Sequence, residues 1–290
     1  MIQWLDRQGN PVPGEDGQNR VLHFLYNTKV GGWIVSIMIR PWVSKLAGWL
    51  MDTGLSRIAI RPFVKRNNID LSAFEDRKFE SFNDFFTRKI RPELRPVDPE
   101  KNHLISPCDS KLSVYPITET MQVEVKGAKY TLQTLLRDRE LAKRFEGGWF
   151  LLLRLTKDDY HRYCYVDDGV KGENIRIPGV YHTVNPVAGE RYRIYRENTR
   201  EYSLLESENF GSVLMMEVGA AMVGRIVNNH GAGPVLRGQE KGRFEFGGST
   251  VILCLQKDRV IIDEDIRRNT ENGAETVVRQ GEQIGVAKFL

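Results

Sequence analysis

Apolar and polar positions change rhythm once along the chain. From residue 19 to about 90 the apolar residues recur at helical spacing. Trp42, Leu46, Trp49 and Leu50 fall three to four apart, and Pro41 stands where a helix would begin. Further helices are expected over Leu55–Lys65 and Asp84–Ile90. Pro92–Pro99, rich in proline and charge, predicts an extended linker. Beyond it come short β-type runs separated by Gly, Pro and Asn. They are Lys111–Tyr115, Gln122–Val125, Trp149–Leu155, Asn174–Ile177, Arg191–Tyr195, Val213–Val218, Thr250–Leu255 and Val260–Asp263. One helix is expected over Leu132–Arg144. The pattern predicts an α+β fold, with a helical N-terminal region over 1–91. A mostly antiparallel β sandwich or barrel-like domain then fills 92–290.

Composition adds little until charge is placed along the chain. With 41% apolar and 28% charged residues the chain has the make-up of a globular protein. The three cysteines, Cys108, Cys164 and Cys254, are scattered and form no disulfide framework, which suits a reducing compartment. The polar, acidic N-terminus shows no signal peptide. The net charge of +4 is unevenly spread. Arg20, Lys29, Arg40, Lys45, Arg57, Arg61, Lys65 and Arg66 face one acid, Asp52, so residues 20–66 carry +7 and the remainder −3. Trp33, Trp42 and Trp49 lie in the same stretch. Cationic helices with Trp and Leu on one face lie in a membrane interface, each basic residue contributing about 1 kcal/mol near an anionic surface. The plainer alternative is a helical subdomain packed on the sheet with a solvated basic face. The ten-residue apolar run Val30–Ile39 is too short to span a bilayer. Neither a nucleic-acid motif nor metal-ligand spacing is visible, and the five histidines are dispersed.

The richest stretch chemically is Gly238–Leu255, where Gly247-Gly248-Ser249-Thr250 directly precedes an apolar run. Two glycines permit a tight turn and leave the Gly248 carbonyl unshielded. The Ser249 hydroxyl follows that carbonyl and could attack it, given a base for its proton and donors for the oxyanion. The resulting ester could eliminate, cutting the chain and leaving a pyruvoyl group at residue 249. As a bare tetrapeptide, Gly-Gly-Ser-Thr reads as a turn.

Its surroundings change that reading. FNDFFTRKIRPELRPVD (Phe82–Asp98), SPCDSKL (Ser106–Leu112), VKGAKYTLQTLL (Val125–Leu136) and DYHRYC (Asp159–Cys164) occur in order. YHTVNP (Tyr181–Pro186), VGAAMVGRI (Val218–Ile226) and EKGRFEFGGSTVILCL follow. From about residue 60 onward the sequence resembles the phosphatidylserine decarboxylase proenzyme family. The resemblance implies self-cleavage between Gly248 and Ser249, giving a β chain of 1–248 and an α chain of 249–290. It implies a covalent pyruvoyl cofactor made from Ser249, whose Schiff base with phosphatidylserine acts as the electron sink for loss of carbon dioxide. It also implies a homodimer and a peripheral place on the cytoplasmic face of the inner membrane. A pyruvoyl decarboxylase of a soluble amino acid and a non-maturing lipid-binding relative are the alternative readings.

The family's Asp–His–Ser relay maps Asp109 and Ser249 onto the acid and the nucleophile. The family usually has Gly where this chain has Ser110, and a second histidine where it has Cys164. The base therefore stays open between His161 and His182, or both in separate steps. Lys126-Gly127 and Arg162 are weaker candidates for contacting the substrate's anionic groups.

Overall fold

Two short strands, β1 (Trp4–Leu5) and β2 (Pro11–Val12), precede the front helices in this computed structural model. It describes residues 3–13, 28–38, 40–67, 69–120, 122–125, 128–180, 197–219, 225–245 and 249–288. The front comprises α1 (Lys29–Met38), α2 (Pro41–Asp52), α3 (Ile60–Arg66) and α4 (Phe82–Phe86). Pro41 occupies the first turn of α2, where its missing N–H has no partner to lose. Instead of one helix over Leu55–Lys65, a 3₁₀ turn at Gly54–Ala59 leads into α3. The expected helix over Asp84–Ile90 is the shorter α4, started by the Ser81 side chain accepting from Asp84 N.

The body continues with β3 (His103–Ile105), β4 (Ser110–Pro116), β5 (Gln122–Val125) and β6 (Ala128–Thr131). The single helix expected over Leu132–Arg144 is two: α5 (Leu132–Leu136) and α6 (Arg139–Lys143). Arg137 breaks the run at φ 56°, and the Asp138 side chain caps the next helix by accepting from Leu141 N. Then come β7 (Trp149–Leu155), β8 (Arg162–Cys164), β9 (Gly169–Lys171) and β10 (Ile175–Ile177). Next are β11 (Arg200–Ser207), β12 (Gly211–Gly219), β13 (Arg225–Asn228), β14 (Gly233–Val235) and β15 (Glu240–Glu245). The chain closes with β16 (Ser249–Leu255), β17 (Val260–Ile262), α7 (Glu264–Glu271), β18 (Glu275–Val278) and β19 (Gln283–Ala287). The strand expected at Arg191–Tyr195 lies outside the described residues.

The main sheet runs β14-β9-β11-β12-β16-β7-β4-β18-β1-β2, with β10 paired to β11. Its pairs are antiparallel except β1 with β18. The fold is thus α+β with mostly antiparallel sheets. Strand β16 lies between β12 and β7, and its side chains alternate between two apolar layers. Val251, Leu253 and Leu255 enter one core with Leu153, Tyr163 and Phe244. Ile252 and Cys254 enter the other with Phe150, Leu152 and Met216. A strand buried on both faces reads as a continuous apolar run, and this one does.

The front is built differently. Phe82, Phe85 and Phe86 of α4 form a small aromatic core with Met51, Ile60 and Phe63. Outside it, Val30, Trp33, Trp42, Leu46, Trp49, Leu55 and Ile58 are exposed. Among the described residues no helix is long and apolar enough to cross a membrane.

Candidate active site

Ser249 opens β16, with Gly219 of β12 opposite on one side and Leu155 of β7 on the other. The serine is fully buried, and its Oγ has no hydrogen-bond partner among the described residues. An unsatisfied buried hydroxyl costs about 1–3 kcal/mol, so a structural role alone would favour Ala or Val here. By strand alternation the side chain faces the same layer as Val251, towards Tyr163 and Phe244. Gly248, the other side of the expected scission, lies outside the described residues, as do His182 and the Lys126-Gly127 pair.

His161 immediately precedes β8 and is 1% exposed. Its Nδ1 lies 2.8 Å from the Asp159 carbonyl oxygen. A carbonyl only accepts, so Nδ1 carries the proton and Nε2 presents a bare lone pair. That Nε2 is buried without a partner among the described residues. Phe86 covers the imidazole at 4.2 Å between ring centroids. Burial, reinforced by the nearby Arg88 charge, lowers the imidazole pKa to about 3. The ring is therefore neutral at physiological pH, the form that can take a proton. The same burial disfavours the imidazolium.

Asp159, whose backbone orients that ring, is itself fixed. Its carboxylate accepts from Lys111 Nζ at 2.7 and 2.8 Å, from Thr156 N at 2.7 Å and from Thr156 Oγ1 at 2.8 Å. The Lys111 ammonium also stands 4.9 Å from the Trp4 ring.

Asp109 sits in the turn between β3 and β4. Arg95 grips it through Nε at 2.8 Å and Nη2 at 2.5 Å, and Gln280 N donates to it at 2.9 Å. The structure thus does not join Asp109 to His161 by a hydrogen bond. It does place Asp109 beside Cys164. Cys164 N donates to the Pro107 carbonyl at 2.9 Å, and Gln280 Nε2 donates to the same carbonyl at 3.1 Å. Position 164 is where this sequence departs from the expected pattern. Burial lifts the Cys164 thiol to about 12, so it is inert packing. The expected extended linker at Pro92–Pro99 contains a 3₁₀ turn at Pro92–Leu94, and it delivers Arg95 to Asp109.

Arg162 is fully engaged, donating to Glu240 at 2.8 and 2.9 Å and to the Thr87 carbonyl at 2.7 and 2.9 Å. One pair escaped the sequence reading altogether. Glu217 of β12 and Lys241 of β15 are both 0% exposed, and Lys241 Nζ donates to Glu217 at 2.8 and 2.9 Å. Glu217 precedes Gly219 by two residues and so faces the same layer as Ser249. Asn228 Oδ1 accepts a third bond from Lys241 at 2.9 Å. Burial raises the Glu217 pKa.

A model of the phosphatidylserine decarboxylase family matches residues 82–286, a span that includes Asp109, His161 and Ser249. The chain belongs to the phosphatidylserine decarboxylase family. It is 43% identical over 269 residues to phosphatidylserine decarboxylase proenzyme 2 of Clostridium acetobutylicum, covering 92% of each chain. It is 40% identical over 297 residues to the phosphatidylserine decarboxylase proenzyme of Desulfitobacterium hafniense, covering 99% of this chain and 98% of the other. With the proenzyme of Clostridium botulinum it shares 39% identity over 295 residues, covering 99% and 100%.

Proposed function

We propose that this chain is a self-maturing decarboxylase that converts phosphatidylserine to phosphatidylethanolamine and carbon dioxide, using a pyruvoyl group made from Ser249. The observation that carries the site assignment is the pair of buried, unpartnered atoms in a member of this family: Ser249 Oγ and His161 Nε2. A small keto-acyl group at the head of β16 fits the residues present, since it needs no side-chain partner and Gly219 opposite carries no side chain.

Maturation follows from the chain's own atoms. His161 Nε2 takes the Ser249 hydroxyl proton as Oγ attacks the Gly248 carbonyl carbon. The peptide C–N bond then breaks, the leaving nitrogen takes a proton, and an ester joins Gly248 to Oγ. Loss of the Ser249 α-proton and of the Cβ–Oγ bond frees the Gly248 carboxylate and leaves a dehydroalanine. Its tautomer exchanges nitrogen for oxygen with one water, releasing ammonia. The pyruvoyl carbonyl supplies an electron sink for the bond to carbon dioxide. The carbon that loses carbon dioxide needs one proton in return, which the bare Nε2 of His161 would have to take from water and pass on. Asp159, held by Lys111 and Thr156, keeps the imidazole in its Nδ1–H form. Asp109, clamped by Arg95, anchors the wall that β8 presents to the site.

The front helices would dock on the cytoplasmic face of an anionic inner membrane, where the substrate lies. Exposed Trp33, Trp42 and Trp49 support this reading, together with exposed Arg57, Arg61, Lys65 and Arg66. Intact mass measurement of the purified protein tests the whole scheme. Two chains split before residue 249, the smaller with a blocked N-terminus, are expected. A single 33.3 kDa chain overturns it.

A further inference from the structure

Arg88 is 2% exposed and has no carboxylate partner among the described residues. Its Nη1 makes one long bond, 3.3 Å, to the Phe85 carbonyl. Its Nε and Nη2 make none. The other buried arginines are treated differently. Arg154 pairs with Glu275, Arg162 pairs with Glu240, and Arg200 donates to the carbonyls of Leu135 and Asn198. Two rings hold the Arg88 guanidinium instead, Phe74 at 4.2 Å and Phe85 at 4.7 Å from Cζ to the centroid. Burial lowers its pKa only to about 10, so it stays cationic.

The unpartnered atoms are not a random pair. Nε–H and Nη2–H form one edge of the guanidinium, the fork that grips two oxygens of a phosphate or carboxylate side by side. The guanidinium lies near His161. Phe86, two residues earlier, stacks on His161, and the Arg88 charge helps to depress that histidine's pKa. Phe74, which stacks on Arg88, also lines an open cleft of about 480 Å³ together with Ser72, Arg77 and Arg91 and the acidic Glu75 and Asp76.

We infer that the Nε/Nη2 edge of Arg88 binds the phosphodiester of the lipid substrate, holding the headgroup with its serine towards Ser249. This rests on the decarboxylase reading. Of the substrate's two anions, the phosphodiester is the better fit on chemical grounds. Its charge is unchanged through the reaction, whereas the carboxylate must give up its charge to the electron sink. A cation clasped on the carboxylate would stabilise the reactant against the transition state.

The test uses the mature protein with Arg88→Lys and Arg88→Gln, after mass measurement confirms cleavage. Calorimetry measures the binding of dihexanoyl phosphatidylmethanol, which has the phosphodiester but neither amine nor carboxylate. Dihexanoylglycerol and inorganic phosphate are titrated in parallel. Loss of a charged hydrogen-bond pair predicts about 10- to 100-fold weaker binding of phosphatidylmethanol to Arg88→Gln, with a smaller loss for Arg88→Lys. KM for dihexanoyl phosphatidylserine should rise by the same factor while kcat stays within about threefold. Dihexanoylglycerol should bind all forms alike. Unchanged phosphatidylmethanol binding overturns the inference, as does a fall in kcat alone. Inorganic phosphate binding as tightly, with the same dependence on Arg88, also overturns it in favour of a free-ion site. If neither variant matures, a crystal structure of the native protein with phosphatidylmethanol decides: phosphate oxygens at Nε and Nη2 support the inference, and a phosphate elsewhere ends it. Arg88-dependent binding by a protein that decarboxylates nothing would sink the decarboxylase reading and with it the substrate role, leaving only a phosphodiester site at Arg88.

Discussion

The front helices and the central sheet break the usual inside–outside rule in opposite directions. Trp33 is 67% and Trp49 64% exposed, in a segment where most apolar side chains could have been turned inward. In the central sheet Glu217 and Ser249 are at 0%, as is Lys241, which reaches Glu217 from the neighbouring three-stranded sheet of β13, β15 and β8. Scattered exposed apolar residues need no explanation, but a run of them on consecutive helices is the feature on which the proposed membrane docking rests. Buried charge and an orphaned hydroxyl mark the other kind of exception, where chemistry outweighs stability. On the proposed reading, the two regions separate access to a lipid from the reaction on it.

The largest effect expected on this contrast is at the sheet. Ser249→Ala should leave one uncleaved chain by mass, since no hydroxyl remains to attack. His161→Gln should slow cleavage by about 10²- to 10⁴-fold, the usual loss on removing a general base. Cleavage at the normal rate in His161→Gln would hand the role to His182. The same substitution has a second readout. The imidazole titrates near 6.5 when unfolded and near 3 when folded, so the stability it permits is complete above pH 6.5 and drains away as pH falls towards 3. Melting curves of His161→Gln should lose that slope.

Next in size is the buried pair. Lys241→Met leaves Glu217 uncompensated and should cost about 3–5 kcal/mol in denaturant unfolding. Adding Glu217→Leu should recover most of it. If that recovery fails, the pair is holding the sheet together and the contrast drawn above weakens. If stability returns but maturation slows, the pair serves the serine. The smallest effect belongs to the front. Trp33→Ser with Trp49→Ser should weaken sedimentation with phosphatidylserine vesicles about tenfold. Stability should move by no more than about 0.5 kcal/mol. Unchanged vesicle binding would return the front to an ordinary solvated face.

Legibility in the sequence followed burial. Trp149–Leu155 is readable as a strand because both its faces are buried and the run is unbroken. Strands Arg200–Ser207 and Glu240–Glu245 were invisible because they carry charges whose partners lie far along the chain, as with Lys241 and Glu217. Arg162–Cys164 is too short to set a rhythm. Helix α7 was missed because its buried side is little more than Ile266 and Asn269. Among the candidate site residues, Ser249, Asp109 and His161 could be picked out by their local motifs. Arg95, Asp159 and Arg88 could not, since what distinguishes them is a clamp, a carbonyl and the lack of a partner. None of these is written in local spacing.

Strand β16 has one more consequence. Each of its seven residues is paired on both sides, to β12 and to β7. A cut before Ser249 would therefore leave the smaller chain threaded through the middle of the larger one, with β18 next to β4 as well. Such an assembly is reached only by folding first and cutting afterwards. Once melted, two separate chains would have to find a register that one continuous chain found for them. The mature form should then show hysteresis: stable for long periods, and unable to return along the path by which it was made.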